Sequence, residues 1–189
     1  MIHPLQTLYR KDEKGLYRGA IPVEQNEAQD WNNQGWGIYV TANSFRKDVT
    51  KEEHRSNDTK TNRNTQYINR LLYAYIDMDA VKTGENITPQ ELYERKNRLW
   101  CALWDGDCPE KPDMCLDTRN GFQPLWLVDA DPTESNIQDY KKFICGMISW
   151  SEKHGSYGDP VKDVCRLIRC PNYNHMKQDP YFVSLVSHE

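Results

Sequence analysis

Two aspartates, Asp77 and Asp79, follow the apolar run Leu71 to Ile76. On an extended strand, side chains at i and i+2 leave the same face about 6.5–7 Å apart. Two carboxylates so placed repel each other unless a cation lies between them. Oxygen-only donors suit Mg²⁺ or Mn²⁺, and two such ions about 4 Å apart are a common electrostatic device in phosphoryl transfer. A D-x-D pair can equally end a strand at a solvated turn. The run before it favours chemistry, because it makes a rigid platform for two outward-facing acids.

Two further segments carry reactive types. In Thr118-Arg119-Asn120-Gly121-Phe122-Gln123-Pro124-Leu125-Trp126, a small polar turn feeds an aromatic strand with one amide in it. The stretch Asp163-Val164-Cys165-Arg166-Leu167-Ile168-Arg169-Cys170-Pro171-Asn172-Tyr173-Asn174-His175-Met176-Lys177 gathers an acid, two arginines, a proline turn, an Asn and a Lys. Arg166 and Arg169 are three apart, so on a strand they face opposite sides unless a bulge intervenes. One can serve a ligand while the other braces the fold.

Taken in order, with Gly37 to Phe45 as an opening strand, these segments resemble the archaeo-eukaryotic primase (AEP) superfamily. The likeness is to its primase-polymerase branch, carried by plasmids, phages and integrated elements, and it spans about residues 36–177. The resemblance implies that Asp77 and Asp79 hold the metals and that Asp163 is the third carboxylate. It also implies that Gln123, Arg166 and Lys177 contact the triphosphate or template and that Arg119 adds positive charge near the phosphates. Asn43, Arg169 and Asn174 complete the implied nucleotide- and DNA-binding set. Two positions depart from the family pattern. The usual His is Gln123, which can donate a hydrogen bond to phosphate but carries no charge and cannot shuttle a proton. The usual Gly after Pro171 is Asn172, the next most tolerant residue for a left-handed turn.

The implied activity is template-directed nucleotidyl transfer by a DNA primase or DNA polymerase using two Mg²⁺ or Mn²⁺ ions. Its implied partners are a single-stranded DNA template and dNTP or NTP, with a helicase module in a longer parent protein. Two other readings stay open. Gln123 could mark a catalytically weak or inactive nucleotide- or nucleic-acid-binding module of the same fold, and D-x-D with Lys also suits a metal-dependent nuclease.

These residues need elements to position them. Asn26 to Trp31 reads as a short helix, Trp36 to Ala42 as a strand, and Leu16 to Ile21 as a possible short strand. The run Leu71 to Ile76 has the length of a strand buried on both faces. Thr88-Pro89-Gln90-Glu91 starts a helix with a Thr cap, Pro at the first position and an acidic first turn, running to Trp104. Phe122 to Val128 is a strand, and Glu134 to Lys153 is a helix with Ile137, Tyr140, Ile144, Met147 and Ile148 at helical spacing. Val164 to Ile168 and Tyr181 to Val186 are late strands. Residues 46–66 form a polar, locally basic loop, and Asp105 to Asp113 a turn-rich one. The expected fold is α+β: an RRM-like, palm-like sheet, antiparallel or mixed, backed by helices 89–104 and 134–153. Residues 1–70 would form a smaller N-terminal α/β part walling a cleft, and residues 71–189 the catalytic part.

Composition narrows the classes. Apolar residues are 38% with aromatics at 11%, which fits a polar-surfaced domain with an aromatic groove and argues against disorder. The net charge of −4 argues against a general nucleic-acid coat, though charge distribution outweighs the sum. None of the six cysteines forms a C-x-x-C pair, which argues against structural zinc. Met1 to Arg10 lacks the apolar stretch of a secretory signal, so free thiols in a reducing, cytoplasmic setting are expected. No apolar run approaches ~18 residues, so no membrane span is expected. There is no Walker loop.

Overall fold

A computed structural model describes residues 6–9, 21–22, 26–45, 65–160, 162–176 and 179–187. Lys177, the stretch 16–20 and nearly all of the basic segment (46–64) lie outside the described residues.

The chain order is β1 (Gln6–Tyr9), β2 (Ile21–Pro22), α1 (Ala28–Asn33), β3 (Gly37–Thr41), β4 (Ser44–Phe45), β5 (Ile68–Tyr75), β6 (Met78–Asp79), α2 (Pro89–Trp104), β7 (Met114–Asp117), β8 (Gly121–Ala130), α3 (Glu134–Lys153), β9 (Leu167–Arg169), β10 (Asn174–His175), β11 (Tyr181–Phe182) and β12 (Ser184–Val186). The fold is α+β. The larger sheet has the order β12-β7-β8-β5-β4, with β6 also on β8, and every pairing is antiparallel. A second antiparallel sheet runs β2-β1-β3-β9, and β10 pairs with β11. Strand β9, late in the sequence, thus completes the sheet of the N-terminal part.

Alternation along the central strands sorts the core into two layers. Ala74, Met78, Phe122 and Trp126 face α2 and α3, meeting Leu99, Leu103, Ile144 and Met147. Tyr75, Leu116 and Leu125 face the other way, against Ala42, Ile168 and Val183. Apolar layers on both faces explain why β5 is a continuous apolar run rather than an alternating one. Among the described residues, no helix is long and apolar enough to cross a membrane.

Both long helices have the expected bounds. The Thr88 side chain accepts from Glu91 N while the Glu91 carboxylate accepts from Thr88 N, a complete capping box with Pro89 in the first turn. Those hydrogen bonds hold the Glu91 carboxyl below its ordinary pKa, the Thr88 backbone N–H being the largest cause. Thr88→Ala is expected to cost about 1 kcal/mol, read as a lower unfolding midpoint in urea.

Three expectations are revised. Strand β7 was not anticipated, because four residues show too little alternation. The expected strand from Val164 begins only at Leu167, because the Asp163 carboxylate accepts from Cys165 N at 3.0 Å and turns the chain there. The stretch Tyr181 to Val186 is two strands: Val183, buried and bonded both ways with the 172–173 backbone, is where the chain leaves β10 and joins β7. The proline turn is as anticipated, with Asn172 at φ 70°, in the left-handed region.

Candidate active site

The acid pair sits where β5 gives way to β6. Met78 between the two acids is fully buried in the helix-facing layer, so Asp77 and Asp79 leave the opposite face. Backbone contacts fix this segment from two sides. Met78 pairs with Phe122 and Asp79 with Gly121 on β8, while Tyr157 N donates to Asp79 O at 2.7 Å. Gly158 then lies so close to the Asp77 carbonyl that a Cβ there would sit 1.5 Å from its oxygen.

Gln123 is 6% exposed and bridges the acids to β9. Its Nε2 donates to Asp77 Oδ1 at 3.3 Å, and its Oε1 accepts from Arg169 N at 3.0 Å. Only an amide offers a donor at one end and an acceptor at the other at every pH. In this arrangement Gln123 orients a carboxylate and ties it to the second sheet. Gln123→Leu would leave a buried N–H unmatched, so a stability loss of about 1–3 kcal/mol is expected in denaturant titration.

Asp163 and Arg166 join the same neighbourhood. Tyr75, beneath the acids, has its phenol held well above the ordinary pKa, first by burial, then by the negative charge of Asp77; Asp163 adds to this and Arg166 opposes it. Arg166 lies between two carboxylates, with Nε 3.3 Å from Asp163 Oδ2 and Nη2 3.2 Å from Asp159 Oδ2. These pairs are largely solvent-exposed and hold Arg166 only weakly. Asp159 was not anticipated.

The donor chemistry of Asp77 and Asp79, two carboxylates on one face, fits a hard divalent cation. Asp163 is turned instead toward Arg166 and Cys165 N. Among the described residues no three His, Cys, Asp or Glu side chains come together as a metal site. The fit therefore extends to the pair and not to a preassembled triad.

The other expected residues are placed as follows. Arg169 stacks its guanidinium 4.4 Å over the Tyr39 ring, joining the two strands that pair there. Asn43 is 1% exposed, donating to Val164 O and accepting from Leu72 N and Tyr73 N, so its amide clamps three backbone positions. Asn174 is bonded through its backbone N and O to Asn32, a buried residue that sequence reasoning missed. Arg119 lies on the helix-facing side of β8, against the Tyr181 ring, away from the Asp77 group. Trp100 packs on Trp104 and Phe122.

No protein-family model and no curated protein matches the chain. Among solved structures, the AEP domain of the cyanophage S-2L primase-polymerase is similar, with a TM-score of 0.59 at 10% identity. The match covers 97% of this chain and 80% of that one. At that identity the likeness is one of fold: a distant, AEP-like palm fold.

Proposed function

We propose that this chain is a template-directed nucleotidyltransferase, a primase-polymerase that builds primers or extends strands on single-stranded DNA. The observation that carries this reading is the acid pair at the β5–β6 junction of an AEP-like fold, its backbone fixed on both sides and Asp77 oriented by Gln123.

In this reading Asp77 and Asp79 hold divalent cations, which when bound neutralise triphosphate charge and favour loss of the attacking hydroxyl's proton. The protein's own residues do the positioning. Gln123 keeps Asp77 in one rotamer and couples it to β9. Arg166 is weakly held, so an arriving phosphate can draw it from Asp163 and Asp159 at little cost. Asp163, once released, becomes a third carboxylate facing the same charge. Arg169 and Asn43 keep the two sheets in register behind this face.

The test is primer synthesis or extension on a single-stranded template with Mn²⁺ or Mg²⁺ and mixed dNTP and NTP. Products that lengthen with time support the reading. Absence of product across metals and nucleotides sinks it and favours the binding-module reading, which the internal commitment of both ends of Gln123 also supports. Degradation of DNA without added triphosphate would point to the nuclease instead.

A further inference from the structure

A cleft of about 410 Å³ opens on the far side of β8 from the acid pair, between α2, the β7–β8 turn and β11. Its size is that of a small-ligand site. Tyr93 and Trp100, seven positions apart, lie along one face of α2 and line it, with Phe122 and Tyr181 opposite. Tyr93 is 67% exposed, so a large flat ring face is open to solvent at the rim.

Among the described residues that line the cleft, one cation is uncompensated. Lys96 is already matched: its ammonium donates to Asp117 at 2.5 Å and to Thr118 O at 2.7 Å, and the Tyr181 hydroxyl donates to the other oxygen of Asp117. Arg119 is different. Its guanidinium rests against the Tyr181 ring at 5.8 Å, and the edge formed by Nε and Nη2 is shielded from water with no hydrogen-bond partner among the described residues. No internal hydrogen bond would be lost on that edge if the side chain turned toward an anion in the cleft. That edge has the fork geometry that grips two oxygens of a phosphate.

An open aromatic face beside an unmatched guanidinium is complementary to one ligand chemistry, a planar base joined to a phosphate. We infer that this cleft binds a nucleotide unit, its base against Tyr93 and Trp100 and its phosphate on Arg119. The turn bearing Arg119 is tied to the acid segment, because Asn120 O accepts from Ala80 N and Gly121 pairs with Asp79. A strand passing round this edge of β8 would connect the two faces. The inference extends the nucleic-acid reading of the chain but needs no turnover.

The experiment uses the full chain without divalent cation, reading anisotropy of a fluorescein-labelled oligothymidylate and, separately, calorimetric titration with dTTP. Arg119→Ala and Tyr93→Ala are each expected to weaken binding by about tenfold, the effect of losing one stacked base or one desolvated phosphate contact. Tyr93 is exposed, so its variant tests the cleft even if Arg119→Ala disturbs folding. Weakening in the oligonucleotide arm identifies a strand subsite, and weakening confined to dTTP identifies a free-nucleotide site. Unchanged affinity for both probes in both variants, or no binding by the wild type, overturns the inference. Intact cleft binding by the wild type alongside absent synthesis by the wild type would remove the proposed enzyme activity while leaving the cleft assigned.

Discussion

Asp77→Asn is expected to lower primer synthesis by about a thousandfold while leaving the fold intact, because the Gln123 hydrogen bond and the backbone packing that hold residue 77 do not need its charge. An asparagine keeps an oxygen to accept from Gln123 Nε2, and its backbone remains packed on Gly158 and continuous with the β6–β8 pairing. What disappears is one of two carboxylates on a face that also carries Asp163 and Asp159. Relieving that repulsion leaves stability within ~1 kcal/mol of wild type or raises it. A metal-held charge is worth several kcal/mol in a phosphoryl-transfer transition state, which corresponds to about three orders of magnitude in rate.

Melting curves separate this from misfolding. Saturating Mn²⁺ is expected to raise the wild-type melting temperature, since a ligand at about 100 times its dissociation constant adds ~2.7 kcal/mol to the folded state, and to leave the variant unmoved. Synthesis by Asp77→Asn at a rate near wild type would remove Asp77 from the chemistry, whatever the melting curves showed.

The contrast between Asp77 and Asn43 illustrates what was legible in the sequence. Short-range signals survived: Thr88 caps α2, the helical spacing from Ile137 to Ile148 is α3, the apolar run is β5, and Asn172 takes the left-handed turn. All are set by a residue and its neighbours within one or two turns. The D-x-D spacing likewise put both acids on one face, because alternation about a buried Met78 is local.

Long-range commitments were not legible. Nothing near Asn43 announces that its amide reaches Val164, more than a hundred residues on, and nothing near Gln123 announces the Arg169 N–H. A polar residue in an apolar segment is compatible with gripping a ligand or gripping backbone, and only the fold shows which partners are near. The segment Tyr181 to Val186 fails for the same reason: its composition is uniform, and the switch of sheets at Val183 depends on strands far away in sequence.

Gly158→Ala tests the least visible of these contacts and carries the largest expected loss of stability. A Cβ at 158 would lie 1.5 Å from the Asp77 oxygen, 2.4 Å from its carbonyl carbon and 3.3 Å from Met78 N. All three are backbone atoms, so no rotamer change can relieve the overlap; one of the two chain segments must move. If the 157–160 segment retreats, the Tyr157 N to Asp79 O hydrogen bond is lost with it. Overpacking of about 1–3 kcal/mol and a hydrogen bond of about 1 kcal/mol together give an expected destabilisation of about 2–4 kcal/mol in urea titration. If the acid segment retreats instead, its carboxylates shift relative to Gln123, and displacement of about 1 Å at a reacting centre can cost a hundredfold in rate. Either way synthesis and stability fall together, unlike in Asp77→Asn. Gly146→Ala is the matched control: this exposed glycine inside α3 has nothing within 4 Å of a Cβ, so alanine is expected to stabilise by about 0.5–1 kcal/mol. Should Gly158→Ala unfold at the wild-type midpoint, the close packing of residue 158 on the acid segment would be wrong, and with it the account of what holds Asp77 in place.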